Sequence, residues 1–253
     1  MRPLDKGVTP VDAAGSPIVV TAYGNWRSYL ISSIGYYCVY CNQPLSHSLQ
    51  VEHVIPKTPP AGILPGAVLA WSNMLLACGP CNNAKDNSPI TAATYYLPEE
   101  HNTHLPFSII IHGDPEHAIV AERPGLNPAQ SQKAKDTIAL LELDSIDKRN
   151  KVVDIRSLKR KAAIISVDSA RKVYDMAVAS PTYNAIVVAE DIAQRAKVSG
   201  FFSLWYEEFV NEPLVMEKLT DNSIIKGTAT ICFDPLNGYK PIPRNPVNLA
   251  DPI

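Results

Sequence analysis

The sequence predicts an α+β fold: a small two-stranded core braced by four cysteines, followed by a mainly helical C-terminal region. Three observations predict it. Two CxxC pairs, Cys38/Cys41 and Cys78/Cys81, bracket two short strand-like runs. A proline-rich stretch, residues 56–65, separates those runs and excludes regular structure between them. From Asn127 onward, apolar residues recur at helical spacing. The organisation implied is an N-terminal extension with a lead-in helix (1–35), a core (36–96), a hairpin connector (97–126), a helical region (127–215) and an extended proline-rich tail (216–253).

Residues 1–24 carry Pro3, Gly7, Pro10, Gly15, Pro17 and Gly24, which reads as irregular chain with no catalytic group standing out. Trp26, Tyr29, Leu30 and Ile34 then share one helical face, and Gly35 stops the helix. Leu49 to Ile55 alternates as a strand does, and Trp71 to Ala77 is a short apolar run leading into the second cysteine pair. A helix is expected to follow that pair, capped by Asn82 or Asn83. Leu105 to Ile111 and His117 to Ala121 read as strands around the turn HGDPE. Asn127 and Pro128 open the helical part. Helices are expected over Gln130 to Leu143, over Asp147 to Ser166 with Val152, Ile155, Leu158 and Ala162 as its apolar positions, and over Ser180 to Val198 with Pro181 in the first turn. Five prolines from Pro235 onward mark a tail draped over the body.

Composition narrows the function classes. With 253 residues, 46% hydrophobic and 19% charged, the chain reads as globular, with no apolar run long enough to span a bilayer. The opening MRPLDKG lacks the apolar centre of a secretory signal, so a cytoplasmic, reducing address is expected. A net charge of −2 argues against a protein that coats nucleic acid by bulk electrostatics. Charge is concentrated locally, however: Lys148, Arg149, Lys151, Arg156, Lys159, Arg160, Lys161, Arg171 and Lys172 face only Asp154 and Asp168 in sequence. That stripe reads either as a solvated helix face or as a surface for phosphates or a partner.

In a reducing compartment, close cysteine pairs favour metal over disulfides. Two residues between cysteines let both thiolates of a tight turn point at one ion, and two such turns complete a closed, structural Zn²⁺ shell of the zinc-ribbon kind. A redox CxxC would need only one pair, and its thioredoxin-like setting is missing. Cys232, between Ile231 and Phe233, reads as core packing.

Between the pairs lie Glu52-His53, then Trp71-Ser72-Asn73, then Cys81-Asn82-Asn83-Ala84-Lys85. Over Tyr36 to Asn87 this order resembles the HNH endonuclease family. The resemblance implies a ββα-metal fold wrapped around one catalytic divalent ion. It implies that His53 is the general base for water attacking a phosphodiester and that Asn73 orients His53 across the loop. Glu52 and Asn82 are then expected to hold Mg²⁺ or Mn²⁺ through hard oxygen ligands, and Lys85 to meet a substrate phosphate. The last position of the motif is Asn82 here, where the form that names the family has His. The wider layout, with YCVYC, VEHVIPK, WSNMLLACGPCNNAK, GLNP and DTIALLELD, is similar to the Septu-type, retron-associated HNH nucleases of bacterial antiphage defence. That likeness implies an ABC-type ATPase partner and a DNA substrate, with RNA or tRNA as the close variant. The competing readings are a catalytically idle zinc-ribbon module that binds nucleic acid or protein, and a structural subunit.

Overall fold

The computed structural model describes residues 1–45, 47–146 and 154–253. A 3-10 turn at Tyr23–Trp26 runs into α1 (Arg27–Ile34), and Gly35 ends the helix in the left-handed region at φ 84°. The strand pair is shorter than its apolar runs: β1 (Gln50–His53) lies antiparallel to β2 (Met74–Ala77), with His53 opposite Met74 and Glu52 opposite Leu75. Trp71–Asn73 forms a 3-10 turn instead of strand. The next helix, α2 (Gly79–Lys85), starts three residues earlier than expected, with Cys78 at its N-cap and Pro80 in its first turn, where a missing N–H costs nothing. Asn82 is therefore inside the helix and not its cap.

The hairpin connector is present as β3 (Phe107–Ile111) paired with β4 (Ala118–Glu122). Helix α3 (Pro128–Leu140) opens on a capping box in which Asn127 and Gln130 satisfy each other's backbone donors. Helix α4 (Ile155–Val178) is capped by Asp154, runs well past Ser166, and turns its faces opposite to the expectation. Ile155 and Leu158 are exposed, and the buried stripe is Arg156, Arg160, Ala163, Val167, Ala170 and Tyr174. The apolar spacing misled because the true inward phase begins with two arginines. Lys148, Arg149, Lys151 and Val152 lie outside the described residues. Helix α5 (Ala185–Ser199) begins after Asn184, whose side chain accepts from Ile186 and Val187, so Pro181 precedes the helix. Two short helices, α6 (Phe202–Glu208) and α7 (Pro213–Thr220), complete the helical part. Helix α7 crosses the expected boundary at 215/216. The tail contains a minimal strand pair, β5 (Phe233–Asp234) with β6 (Lys240–Pro241), and returns to the body, where Asp251 pairs with Lys133 at 2.7 Å.

Two apolar cores result. One gathers α1, both cysteine pairs, β1, β2, β3 and α3; the other gathers the inner faces of α4 to α7 with Phe233 and Cys232, the latter fully buried. The N-terminal segment is part of the body. Arg2 donates to the carbonyls of Ile34, Ile225 and Lys226, and Lys6 donates to those of Ser72 and Met74. Among the described residues, no helix is long and apolar enough to cross a membrane.

The two cores meet at the first cysteine pair. The Asn42 carbonyl accepts from Phe201 N–H and its side chain from Phe202 N–H, so the start of α6 docks on the knuckle turn. Gly200 makes that approach possible: at φ 68°, ψ −154° it holds a conformation open essentially to glycine alone, and an added Cβ would sit 2.7 Å from the Asn42 carbonyl oxygen. Gly200→Ala is expected to destabilise the chain by about 2 kcal/mol or more, read by urea denaturation.

Candidate active site and metal centre

The four cysteines are buried, and their Sγ atoms lie within 4.8 Å of one another. A tetrahedral Zn²⁺ with Zn–S bonds of about 2.3 Å sets neighbouring sulfurs about 3.8 Å apart. Cys41 and Cys78 stand 3.8 Å apart, so the donor set fits Zn²⁺. The first pair is shaped by a tight turn in which Gln43 O accepts from Cys38 N–H and Cys38 O from Asn42 N–H, with Asn42 at φ 58°. The second pair spans the start of α2, where unpaired backbone N–H groups favour thiolate. Burial pushes the Cys41 thiol up, but hydrogen bonds with Cys38, Cys78 and Cys81 and the nearby Arg160 charge bring it well below the thiol range.

His53 ends β1 half-buried, its ring edge-on to Tyr23 with centroids 4.8 Å apart. Its Nε2 lies 3.1 Å from the Val68 carbonyl, which can only accept, so that nitrogen carries the proton and Nδ1 is left as the base. Burial lowers the proton affinity of the ring, Lys57 and Lys85 lower it further, and the Val68 bond offsets part of this.

Asn73 is buried and ties the two ends of the proline-rich loop. Its Oδ1 accepts from Ile55 N–H at 2.8 Å, and its Nδ2 donates to Ile55 O and Ala67 O at 3.0 and 3.2 Å. Trp26 Nε1 donates to Leu69 O at 2.9 Å. Three successive carbonyls, Ala67, Val68 and Leu69, thus each take one donor, from Asn73, His53 and Trp26. Gly66 permits this closure, since an added Cβ would lie 2.2 Å from Ile55 O.

Two of the expected site residues, Lys85 and Glu52, lie away from solvent. Lys85 is 1% exposed, with its Nζ 2.7 Å from Glu52 Oε1 and 2.8 Å from His53 O, so it braces the strand and is not available to a substrate phosphate. Glu52 is 2% exposed; Tyr40 donates to its Oε2 at 2.8 Å while Lys85 holds Oε1. Burial lifts this carboxyl above the usual carboxylate range, and Lys85 and Tyr40 pull it back only in part. Asn82 is half-buried and donates to Gln50 Oε1 at 2.7 Å. A hard divalent ion held by Glu52 and Asn82 does not fit this arrangement, because the carboxylate is closed by an ammonium and a phenol. The physical reason is strand alternation: Gln50 and Glu52 share the face that meets α2, while His53 turns to the other.

Sequence reasoning passed over Tyr23, Lys57, Tyr40, Gln50 and Lys6. Lys57 lies over the Tyr23 ring, 5.2 Å from its centroid, and is the exposed cation beside His53. Its position two residues beyond the VEHVI strand was the available signal.

Residues 38–88 match a family model described as HNH endonuclease. No curated protein and no solved structure matches the chain.

Stripping the cysteine cluster with a chelator is expected to unfold the core around it, read as a change in the fluorescence of the buried Trp26 and Trp71. Glu52→Gln should cost about 3–5 kcal/mol by leaving the Lys85 ammonium buried and unpaired, whereas the double change Glu52→Leu/Lys85→Met should cost much less. Urea denaturation of the three chains measures both.

Proposed function

We propose that the chain is an HNH-type endonuclease that hydrolyses phosphodiester bonds in nucleic acid, with His53 as general base. The observation that carries the reading is the His53 imidazole: partly open to solvent, fixed by the Val68 carbonyl with Nδ1 free, and set inside the stretch that matches the HNH family model. A phosphodiester resists hydrolysis because water is a poor nucleophile, and a neutral imidazole within reach of the attacking water removes its proton as the P–O bond forms. Lys57 supplies positive charge to the phosphate from the same side. Asn73 acts through the loop by holding the Ala67 carbonyl, next in the chain to the Val68 carbonyl against which His53 is set. Zn²⁺ at Cys38, Cys41, Cys78 and Cys81 has no open position and serves geometry alone. Asn82 lies on the α2 side of β1, on the face that carries Gln50.

The proposal extends to DNA, with RNA or tRNA as the alternative substrate, and to an effector role in bacterial antiphage defence beside an ABC-type ATPase in the cytoplasm. Its support is the sequence layout from YCVYC to DTIALLELD and a net charge of −2, which suits a nuclease that draws substrate affinity from a partner. An isolated chain that cuts duplex DNA at full rate, indifferent to the ATPase, would reject the partnership. A catalytically idle zinc module is the second reading, favoured by the closure of Glu52 under Lys85 and Tyr40.

The deciding assay compares wild type with His53→Ala on DNA and tRNA, with Mg²⁺ or Mn²⁺ supplied. Loss of about 10²–10⁴-fold in cleavage with binding retained supports the base; equal cleavage by both chains rejects it. The pH profile carries the sign. The base works only when neutral, so the rate falls as pH drops through its pKa. Burial places that acid limb below the ordinary histidine value of about 6.5. Lys57→Ala should raise KM more than it lowers kcat, with a weaker dependence on salt.

A further inference from the structure

Arg156 and Arg160 are among the most deeply buried large side chains of the protein, 1% and 0% exposed, one helical turn apart at the start of α4. Arg156 is richly paired. Its Nε and Nη2 meet the Asp154 carboxylate at 2.6–3.0 Å, and its Nη1 and Nη2 donate to Leu141 O and Glu142 O at 2.8 Å. Nη1 also donates to Cys81 Sγ at 3.1 Å. Arg160 is poorly paired. Its Nη1 reaches Leu143 O at 3.0 Å and Ala118 O at 3.3 Å, but Nε and Nη2 have no hydrogen-bond partner among the described residues.

A guanidinium does not give up its proton inside a protein, so burial demands a counter-charge. Two are buried here, and Asp154, already claimed by Arg156, is the only carboxylate hydrogen-bonded to either among the described residues. The missing negative charge lies across the interface: Zn²⁺ bound by four thiolates carries a formal charge of −2. A tetrathiolate centre in turn needs N–H donors, which draw charge from sulfur and hold the ligands in place. Arg156 already reaches that cluster at Cys81 Sγ, and the orphaned donors of Arg160 lie one helical turn further along the same buried stripe.

We propose that Arg156 and Arg160 cap the zinc tetrathiolate, Arg156 through Cys81 and Arg160 from the next turn of the same buried helix face, so that these residues of α4 position the metal centre from outside the HNH segment. The proposal rests on the reading of the four cysteines as a Zn²⁺ site. It assigns two residues of the basic stripe to the metal and makes the seating of α4 depend on the metal being bound.

The test uses the full chain as wild type, Arg160→Met, Arg160→Lys, and the paired change Asp154→Asn/Arg156→Met, which removes both partners together should the single changes misfold. Zinc affinity is measured by chelator competition, and each site is also loaded with Co²⁺ to record its sulfur-to-metal absorption. Expected are roughly 10-fold or greater weakening in Arg160→Met and in the paired variant, partial recovery in Arg160→Lys, and movement of the sulfur-to-cobalt band to longer wavelength as the N–H donors are lost. Folded variants with zinc affinity within twofold of wild type and an unmoved band overturn the cap. A wild-type chain that retains no zinc overturns the clamp reading itself, and the cap falls with it.

Discussion

Everything near His53 depends on two distant stretches of chain closing on one point. Cys38/Cys41 and Cys78/Cys81 are separated by a segment rich in proline, which has few donors for regular structure and little apolar pattern of its own. Bringing four sulfurs within 4.8 Å fixes both ends of that segment. It also ties β2 to both pairs, since Ala77 runs into Cys78 and Val39 N–H, between the first two cysteines, donates to Leu76 O. The order Gln50, Val51, Glu52, His53 then alternates between two faces with no further instruction. One face meets α2 and becomes the buried Glu52–Lys85 pair, and the other presents His53.

The loop between the strands is held by a second, purely polar device. A loop without ladder partners must satisfy its carbonyls elsewhere, and Ala67, Val68 and Leu69 do so with donors from three different elements. Because His53 is one of those donors, orienting the imidazole and satisfying the loop are the same interaction. Lys6 reinforces the arrangement from the N-terminal segment, since the carbonyls it binds, Ser72 and Met74, flank Asn73. The lead-in that reads as irregular chain thus supports the site directly.

What was legible in the sequence was chemistry at fixed local spacing. Cysteines two residues apart, an Asn-Pro helix start and an alternating strand each state a short-range rule, and the structure contains the cluster, α3 and β1 where those rules apply. What stayed illegible was which way a charged side chain turns. Lys85 follows the second knuckle by one helical turn, and only the tertiary placement of α2 against β1 sends it inward to Glu52. Helix α4 is the sharper case. Arg156 and Arg160 continue the phase of Ala163, Val167, Ala170 and Tyr174 without a break, so the inward stripe was written in the sequence from its first turn. A charged residue read as solvent-facing concealed it, and Ile155 and Leu158 took its place in the expected phase.

That inversion changes what the basic segment can contribute. A positive stripe serves a nucleic acid only through side chains that reach solvent, and two of its arginines are buried, Arg156 against Cys81 Sγ and Arg160 against the carbonyls of Ala118 and Leu143. Arg171 is engaged with Asp175, Glu208 and Glu212. Lys159, Lys161 and Lys172 remain toward the surface among the described residues. The site's own exposed cation is Lys57. With a net charge of −2 over the chain, counterion release from so few contacts gives weak, strongly salt-dependent affinity for a phosphate backbone. A hydrolase with a placed base and a thin electrostatic footprint gains most from a partner that delivers substrate. This charge balance, independent of any resemblance, favours a proposal in which recognition and cleavage reside on different chains.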